Sequence, residues 1–380
     1  MAFDPRQPPD DPWPALADLR AAGAAARFPG AGLTLALRYR EVRDAFAHPD
    51  LYSSRYNVKP DGDYSIVSTD PPEHTRQRKI LGRAFTPAKV AALEPRIREI
   101  SDSLVDEFPT RSPVDVVTSF AFLLPVTVLA ELLGVPDADR EQFKRWSDEQ
   151  LSQSLTAGTS SLAQEFKQWA LKQVRARRAA TDPSDDLVTA LARTDVDGEQ
   201  LDDWEAASTL VLLVVAGHET TTNALGTAIR FLAEDAELRD RLDADRTLIP
   251  AFVEESLRID PPVTALPRKT RCPVTIGDDK LDEGELVLLH MGAANRDPDF
   301  VDTPDAMHLD RHLPSPHLAF GFGIHLCIGA ALARAELRIG IETLLDRCAN
   351  LRAVPGQQIP QTPAYVFRGP TTLLVEYEHA

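Results

Sequence analysis

The sequence predicts a mainly helical protein with small β-sheets. Between residues 87 and 193, apolar residues recur at helical intervals in five segments, which Pro and Gly clusters such as 134–136 separate. In the second half of the chain, short stretches of alternating apolar and polar residues predict strands. The helices are expected at 87–108, 114–133, 137–151, 160–180 and 185–193, and the strands at 274–276, 286–290 and 371–376.

Length and composition limit what the protein can be. The chain has 380 residues, of which 43% are hydrophobic and 26% are charged, as is ordinary for a soluble globular protein. Its length alone suggests two or three domains. The formal net charge of -17 argues against nucleic-acid binding. Nucleic acid is therefore not an expected partner.

Cysteine usage and the N-terminus predict a cytoplasmic protein. Cys272, Cys327 and Cys348 are scattered and odd in number, which fits a reducing compartment. Residues 1–14 lack the basic and apolar regions of a secretory signal. The longest uninterrupted apolar run, 210–217, is too short to span a bilayer. Neither a signal nor a membrane anchor is expected.

The first 67 residues predict a helix, a strand, a second helix and a long loop. The helices are expected at 12–26 and 40–47, with the strand at 32–39 between them. Residues 52–67 show no period and are typical of a loop. Because long loops in compact domains are uncommon unless they are functional, this loop is a candidate binding segment.

A helix that begins near Asp70 carries His74 and Arg78 four residues apart, on one face. The prolines at 71 and 72 fit the N-terminus of a helix. The two side chains form either a solvated polar face or a pair of donors that converge on an anion. The residues alone leave both alternatives open.

The stretch 210–223 joins an apolar run to a polar one. Periodicity alone allows a buried strand that ends in a turn, but an Asp N-cap at 202 or 203 and apolar residues at helical spacing after 223 favour one long helix. Polar groups inside an apolar helix are costly without partners. Either the Thr hydroxyls bond to carbonyls one turn earlier, or Gly217 leaves room for a ligand while Glu219 and Thr220 handle protons beside it.

Residues 320–329, Phe-Gly-Phe-Gly-Ile-His-Leu-Cys-Ile-Gly, place one thiol in a glycine-rich loop that opens a helix. Glycines let the backbone approach a flat, bulky group, and the helix N-terminus favours a thiolate at Cys327. Cys327 is an inert cysteine, a nucleophile with His325 as base, or a metal ligand. A zinc site is not expected without a Cys/His cluster, whereas a single axial thiolate suffices when a macrocycle supplies the other four ligands.

The same run matches the signature Phe-Gly-x-Gly-x-His-x-Cys-x-Gly and so resembles the haem-binding loop of the cytochrome P450 family. The resemblance implies a single domain over residues 1–380 with the cytochrome P450 fold, in which haem b lies between the long central helix and this loop. Cys327 would be the axial iron ligand, whose thiolate favours O–O cleavage. The other cofactor-binding residues of the loop would be Phe320, Gly321, His325 and Gly329.

Three further stretches resemble motifs of this family. His74, Arg78 and Arg268 match donors to the haem propionates. Ala216, Gly217, Glu219 and Thr220 match the oxygen-activation motif Ala-Gly-x-Glu/Asp-Thr. Glu255 and Arg258 match a Glu-x-x-Arg pair, which would form a structural triad with Arg311. One departure is His308, where the family commonly has Asp, and it affects the expected contacts of that segment only.

The resemblance implies a monooxygenase that inserts one atom of O₂ into a mainly hydrophobic small molecule, with electrons from a separate ferredoxin and ferredoxin reductase. Thr220 would position a proton donor and Glu219 would relay protons from solvent. The alternatives are a peroxide-driven peroxygenase, a non-oxygenating haem-thiolate isomerase and a haem sensor. A peroxygenase or isomerase would normally lack the acid and the alcohol, and both are present here.

The resemblance also implies a substrate pocket and a surface for the electron donor. The pocket residues are mostly apolar, which fits a hydrophobic molecule. A basic patch for ferredoxin is expected on the thiolate side, at Lys79, Arg83, Arg334 and Arg338. The candidate pocket residues are Tyr56, Asn57, Val58, Ile66, Val67, Leu212, Val263, Leu266 and Val366.

Overall fold

A computed structural model describes residues 3–5, 9–56, 66–135, 139, 142–143, 145–146, 161–184, 186–196, 198–313, 315–364 and 366–379. The helices are α1 (Trp13–Ala22), α2 (Tyr39–Ala47), α3 (Glu73–Ala84), α4 (Pro87–Asp106), α5 (Leu123–Leu132), α6 (Ser161–Ala179), α7 (Leu187–Arg193), α8 (Asp203–Glu234), α9 (Ala236–Ala244), α10 (Ile249–Ile259), α11 (Met291–Ala294) and α12 (Ala330–Arg347). The strands are β1 (Ala25–Phe28), β2 (Leu33–Ala36), β3 (Tyr52–Ser53), β4 (Val114–Asp115), β5 (Leu266–Thr270), β6 (Val274–Ile276), β7 (Asp279–Leu281), β8 (Leu286–Leu289), β9 (Cys348–Ala353) and β10 (Leu374–His379). The predicted class, mainly helical with small sheets, is confirmed.

The strands of the described residues form three small sheets. The largest has the order β1-β2-β8-β5-β3, in which β2 and β8 are parallel and the other pairs are antiparallel. The second has the order β4-β10-β9, and β6 and β7 form a hairpin. Side chains alternate between the two faces of a strand, so Arg268 and Thr270 lie on the buried face of β5.

The long helix α8 begins at a capping box. The side chain of Asp202 accepts a hydrogen bond from the N–H of Glu205 at 2.7 Å, and the Glu205 carboxylate accepts one from the N–H of Asp202 at 3.0 Å. These two bonds satisfy donors that a helix N-terminus otherwise leaves free. The stretch 210–223 is therefore helical, and the buried-strand alternative is wrong.

The central core surrounds α8. Helices α5, α6, α10 and α12 pack against it, and α4 packs against α12 and α5. The approach of α12 is close at Gly340, where a Cβ would lie 3.3 Å from both Leu225 of α8 and Leu124 of α5. This packing fixes α12, and with it the loop at 320–329, relative to the central helix.

The predicted helix at 114–133 is interrupted at its start. Residues 114 and 115 form β4, which pairs with β10, and a short π-helix over 117–121 precedes α5. The cause is Asp115, whose side chain accepts hydrogen bonds from the N–H groups of Val117 and Leu373. An Asp that binds nearby backbone competes with helix formation.

Other sequence predictions differ from the structure mainly at their boundaries. The first helix ends at Ala22, because Gly23 adopts an extended conformation, and β1 follows where the helix was expected to continue. The last strand covers 374–379 rather than 371–376. The expected helix at 137–151 lies largely outside the described residues. Among the residues that the structure describes, no helix is both long and apolar enough to cross a bilayer.

Glu255 and Arg258 form a buried ion pair on α10. Arg258 Nε lies 2.6 Å from Glu255 Oε1, and Arg258 is fully buried. Arg311 Nε donates to Glu255 Oε2 at 3.2 Å, so the structure brings the expected triad together. His308 also contacts Glu255, but through its backbone N–H at 3.1 Å, so the contact does not depend on the unusual side chain.

Arg258 further ties α10 to the segment that leads toward the cysteine loop. Its guanidinium donates to the carbonyls of Asn295, Pro304 and Ala306 at 3.2, 2.6 and 3.1 Å. A buried ion pair with this many hydrogen bonds is costly to break on one side only, because the remaining charge stays buried without its partner.

Replacing Arg258 with methionine should lower the free energy of unfolding by about 3–5 kcal/mol, because Glu255 then stays buried with fewer donors. Urea-induced unfolding followed by circular dichroism measures the loss. The control is Arg241→Met: Arg241 binds Asp310 at the surface, so this change should cost less than about 1 kcal/mol. Equal losses in the two variants would contradict the structural role of Arg258.

Candidate active site

The loop at 320–329 fixes the backbone of Cys327. The N–H of Cys327 donates to the carbonyl of Phe320 at 2.9 Å, and its sulfur is not in a disulfide. Gly323 has a φ of 71°, and a Cβ there would lie 2.5 Å from the carbonyl oxygen of Phe46. Only glycine meets both conditions, so it lets the loop rest directly on the end of α2.

The surrounding protein alone does not make Cys327 a thiolate. Burial of the sulfur raises the pKa of the Cys327 thiol, although the residue as a whole remains accessible to solvent, and the Gly329 N–H, Arg78 and Arg334 oppose this rise. The helix N-terminus, which the sequence suggested as the source of a thiolate, is therefore outweighed. A coordinated metal ion reverses the balance, because its charge deprotonates the thiol. This behaviour fits a metal ligand better than a nucleophile.

His325 has partners other than Cys327. Its Nε2 lies 2.9 Å from the hydroxyl of Ser54, and its ring centre lies 4.2 Å from that of His74. Both contacts join the cysteine loop to the chain that enters α3. The structure therefore gives His325 a place beside the start of α3 and offers no support for its alternative role as a base for the thiol.

Four donor side chains converge beside the loop: His74, Arg78, Arg268 and His325. Burial lowers the pKa of His74 to about 4 and that of His325 to about 3, and the charges of Arg78 and Arg268 contribute to both shifts. Burial also lowers the pKa of Arg268 to about 10. His74 and Arg268, predicted from segments almost 200 residues apart, thus belong to one cluster.

This donor cluster lacks matching acceptors among the described residues. His74 Nε2 is buried without a hydrogen-bond partner there, and Arg268 donates only to the carbonyl of Pro267. The nearby carboxylate of Asp70 is already engaged by Ser53, Ser54 and Arg271. Buried donors require acceptors, so the cluster fits an anionic group. The two propionates of a haem would supply the acceptors, and the residues present fit that cofactor.

One stripe of α8 offers a mainly apolar surface, in contrast to the donor cluster. Leu212, Ala216 and Thr220 are spaced by four, share a face and are partly or fully accessible, whereas most of the helix around them is buried. On the cysteine loop, Leu326 is also exposed, with 45% of its surface accessible. Apolar side chains that both elements leave accessible match the faces of a flat apolar cofactor.

Gly217 has a different purpose from the one the sequence suggested. A Cβ at this position would lie 3.3 Å from a methyl group of Leu129 on α5. The space that the glycine leaves is therefore filled by Leu129, and the expectation that Gly217 makes room for a ligand is not supported. Gly217 instead allows α5 and α8 to approach each other and is itself partly accessible, whereas its neighbour Ala216 is exposed.

Thr220 and Glu219 lie on different faces of α8. The hydroxyl of Thr220 donates to the carbonyl of Ala216 at 2.6 Å, as the simpler interpretation of the polar run predicts. Because its proton is used in this way, the Thr220 oxygen can still accept a hydrogen bond from an incoming water or hydroxyl group. Glu219 is only 3% accessible, so it does not share the exposed stripe.

The substrate-pocket candidates differ in their exposure to solvent. Leu212, Val263, Leu266 and Val366 are half-buried, as expected of residues beside a chamber. Tyr56 and Val67 are exposed and Ile66 is buried. Asn57 and Val58 lie outside the described residues. The stripe on α8 and the 263–266 segment thus remain the best-placed candidates.

Sequence reasoning missed several residues that position the site. Glu254 binds Arg334 at 2.7 Å and His317 at 3.2 Å, and Arg334 lies 4.4 Å from the ring centre of Phe320. The charge of Arg334 and the His317 contact hold the pKa of Glu254 at about 2, well below its usual range, against the effect of burial. This cluster clamps the first residue of the loop to α10 and α12.

Asn223 is a second position that the sequence did not single out. Its side-chain oxygen accepts a hydrogen bond from Thr362 at 3.3 Å. Gly369 packs so closely that a Cβ there would lie 2.5 Å from the Asn223 Cβ. One turn beyond Glu219, the central helix is therefore joined to the C-terminal hairpin, whose arms pair at Gln361 and Pro370 and which carries Val366. In the sequence, the sign of this role was only that Asn223 is a polar residue within the 210–223 run.

The chain is similar to known cytochromes P450 in sequence and structure. The family model described as Cytochrome P450 matches residues 126–374. Vitamin D(3) 25-hydroxylase of Pseudonocardia autotrophica is 38% identical over 373 residues, which are 94% of this chain and 92% of that protein. The structure of CYP109Q5 from Chondromyces apiculatus has a TM-score of 0.91 and 36% identity, covering 98% of this chain and 96% of that one. CYP109E1 from Bacillus megaterium, in complex with testosterone, has a TM-score of 0.89 and 32% identity, covering 96% and 99%.

Replacing His74 with phenylalanine should speed transfer of haem from the protein to apomyoglobin by about tenfold or more, since a hydrogen bond to a charged group contributes about 1.5–3 kcal/mol. Absorbance during the transfer gives the rate. The control is His48→Phe, because His48 is exposed and, in the part of the chain that the structure describes, its ring hydrogen-bonds with the carbonyl of Asp44 alone. If both variants released haem at the wild-type rate, His74 would not hold a propionate.

Proposed function

Since this chain belongs to the cytochrome P450 family and is a monooxygenase whose haem is held by a cysteine thiolate, we propose that it oxidises a mainly hydrophobic molecule of about steroid size, with electrons from a separate ferredoxin and reductase. The observation that carries the proposal is the accessible stripe of Leu212, Ala216 and Thr220 on α8. It places two apolar side chains and one hydroxyl on a single wall.

The size of the substrate is inferred from relatives. One is named for hydroxylating vitamin D(3), and the structure of another contains testosterone. The half-buried candidates on this chain, Leu212, Val263, Leu266 and Val366, are all aliphatic. Such side chains recognise a rigid apolar ring system through burial of its surface. Titration with vitamin D(3) and testosterone, followed by the Soret band of the ferric protein, is the first step in identifying a substrate.

When bound, the haem activates O₂ for insertion of one oxygen atom into the substrate. The chain's own residues orient the reactants and control protons. Thr220 donates to Ala216, so its oxygen accepts a hydrogen from a water and turns the other hydrogen of that water toward the chamber. Glu219, buried one residue earlier, is the proposed source of replacement protons. An acid and an alcohol in this arrangement favour the O₂-dependent reaction over peroxide-driven or non-oxygenating alternatives.

Thr220→Ala should divert electrons to hydrogen peroxide and lower the yield of product per NADPH severalfold, because no oxygen remains to hold the proton-donating water. The measurement compares NADPH, peroxide and product with a surrogate ferredoxin and a compound that shifts the Soret band. The control is Thr222→Ala, which removes a buried hydroxyl without a partner among the described residues and should leave coupling unchanged. Fully coupled turnover by the Thr220 variant would contradict the proposed role.

The proposed electron-donor surface is the basic patch at Lys79, Arg83, Arg334 and Arg338, but its members are not equivalent. Arg334 is neutralised by Glu254, and Arg338 binds Glu94 and Glu342. Arg83 is exposed and donates to the carbonyl of Asp195, which leaves its charge without a carboxylate partner in the described part of the chain. Arg83 should therefore contribute most to long-range attraction of an acidic partner.

Arg83→Glu should slow ferredoxin-supported reduction at low salt about tenfold or more, and the difference from wild type should shrink as salt screens the charges. Stopped-flow reduction at several salt concentrations measures this effect. Arg352→Glu, in which an exposed arginine on β9 is reversed, is the matched control and should leave the rate near that of wild type. An unchanged rate and salt dependence in the Arg83 variant would remove the patch as the docking surface.

A further inference from the structure

A cavity of about 320 Å³ lies behind the segment that carries Val263 and Leu266. We name it the rear cavity. The N-terminal residues Phe3 and Pro9, the floor residues Leu35 and Leu288, and the C-terminal hairpin form its walls. Its volume is within the range of roughly 300–1,000 Å³ that is typical of small-molecule pockets. Neither Cys327 nor any member of the donor cluster lines it.

The rear cavity contains a buried hydrogen-bond donor. His290 lines it and is 92% buried, since 8% of its surface is accessible. Its Nδ1 accepts a hydrogen bond from the N–H of Ala293 at 3.2 Å, so the ring proton is on Nε2. Burial lowers the pKa of His290 to about 4, which keeps the ring neutral at pH 7. No hydrogen bond joins Nε2 to another of the described residues, so Nε2–H is available to a ligand in the cavity.

The opposite hydrogen-bonding role is supplied by Gln361. Its amide nitrogen donates to the carbonyl of Ile359 at 3.2 Å, which orients the amide. Its Oε1 is buried and has no partner in the described part of the chain, although Gln361 lines the same cavity. A buried acceptor without a partner is costly unless a bound molecule or water supplies its donor. The Nε2–H of His290 lines the same cavity and offers a second point of attachment for such a molecule.

Two charged residues, Asp10 and Arg368, also line the cavity, and Arg368 is paired with Asp260, but part of the remaining wall favours a flat, apolar body. Phe3 and Phe367 line the cavity together with Pro9 and Ala364. Aromatic rings and prolines offer flat apolar surfaces that pack well against another ring. We propose that the rear cavity is a second binding site, separate from the haem chamber, for a small hydroxylated aromatic molecule whose hydroxyl accepts from His290 and donates to Gln361.

The rear cavity and the substrate chamber share one backbone segment. Thr264 and Ala265 line the cavity, whereas Val263 and Leu266 on either side are substrate-pocket candidates. The N–H of Thr264 donates to the carbonyl of Val366 at 2.8 Å, which joins this segment directly to the hairpin that also lines the cavity. A ligand that moves this segment should alter the affinity of the haem chamber for its own ligand. A ligand in the haem chamber must then alter the affinity of the rear cavity by the same factor.

Equilibrium dialysis with 2-naphthol tests the site on the haem-loaded protein. Saturating 4-phenylimidazole, which binds haem iron, first excludes the probe from the haem chamber. We expect one equivalent of 2-naphthol to remain bound to the wild type. Ala364→Trp, which fills the cavity, should weaken this binding at least tenfold, and Ala244→Trp, an exposed control at the end of α9, should not. Failure of the wild type to bind, or equal binding by the Ala364 variant, would overturn the proposal.

A second variant tests the chemistry of recognition without filling the cavity. Gln361→Leu keeps a similar shape but removes the acceptor, so it should weaken 2-naphthol binding severalfold and leave naphthalene binding unchanged. Equal weakening of both probes, or of neither, would exclude Gln361 as the acceptor for the hydroxyl and overturn the assigned ligand class. Because the iron is blocked throughout, failure here leaves the proposed monooxygenase function untouched.

The coupling has its own measurement. Saturating 2-naphthol should change the dissociation constant of 4-phenylimidazole, read from the Soret band, at least threefold in the wild type. The change should vanish in Ala364→Trp. A constant that does not change in the wild type would overturn the coupling, and so would a change that persists in the variant, because it would reflect competition within the haem chamber.

Discussion

The position of one sulfur atom depends mainly on contacts made by the backbone and the charged residues around it. The backbone N–H of Cys327 is held by the carbonyl of Phe320, and Phe320 is in turn covered by Arg334. Two consecutive carboxylates of α10 then hold two different segments in place. Glu254 binds Arg334 and so fixes the loop, while Glu255 binds Arg258 and so fixes the segment that leads to it. These two ion pairs thereby hold the loop that positions the sulfur, and each of their four charged groups has a partner.

The second constraint is an excess of buried donors beside that framework. His74, Arg268 and His325 lie close together, and burial lowers the pKa of each. Among the residues that the structure describes, the carboxylate close to them is that of Asp70, which is saturated by other bonds. The site therefore combines a soft ligand at its centre, anion-binding groups at one edge and an apolar stripe of α8. Haem carries the complementary features, namely iron, propionates and a flat apolar ring.

The sequence predicts those features that a local pattern defines. Helical spacing places His74 and Arg78 on one face, and a ten-residue signature identifies Cys327, so these residues could be predicted from the sequence alone. Contacts between distant segments could not be predicted in this way. The Ser54 hydroxyl that binds His325 and the Glu254 clamp depend on tertiary packing that no spacing encodes. Gly217 belongs to a recognisable motif, yet only the structure shows that its space is filled by Leu129.

The most direct test of this account is the absorption spectrum of the reduced protein under carbon monoxide. If the Cys327 sulfur binds haem iron, the wild type should show the long-wavelength Soret maximum that is diagnostic of thiolate ligation, and Cys327→Ser should lose it while Cys348→Ser retains it. Absence of that maximum from wild-type protein with a full complement of haem, or its persistence in the Cys327 variant, would contradict the central claim.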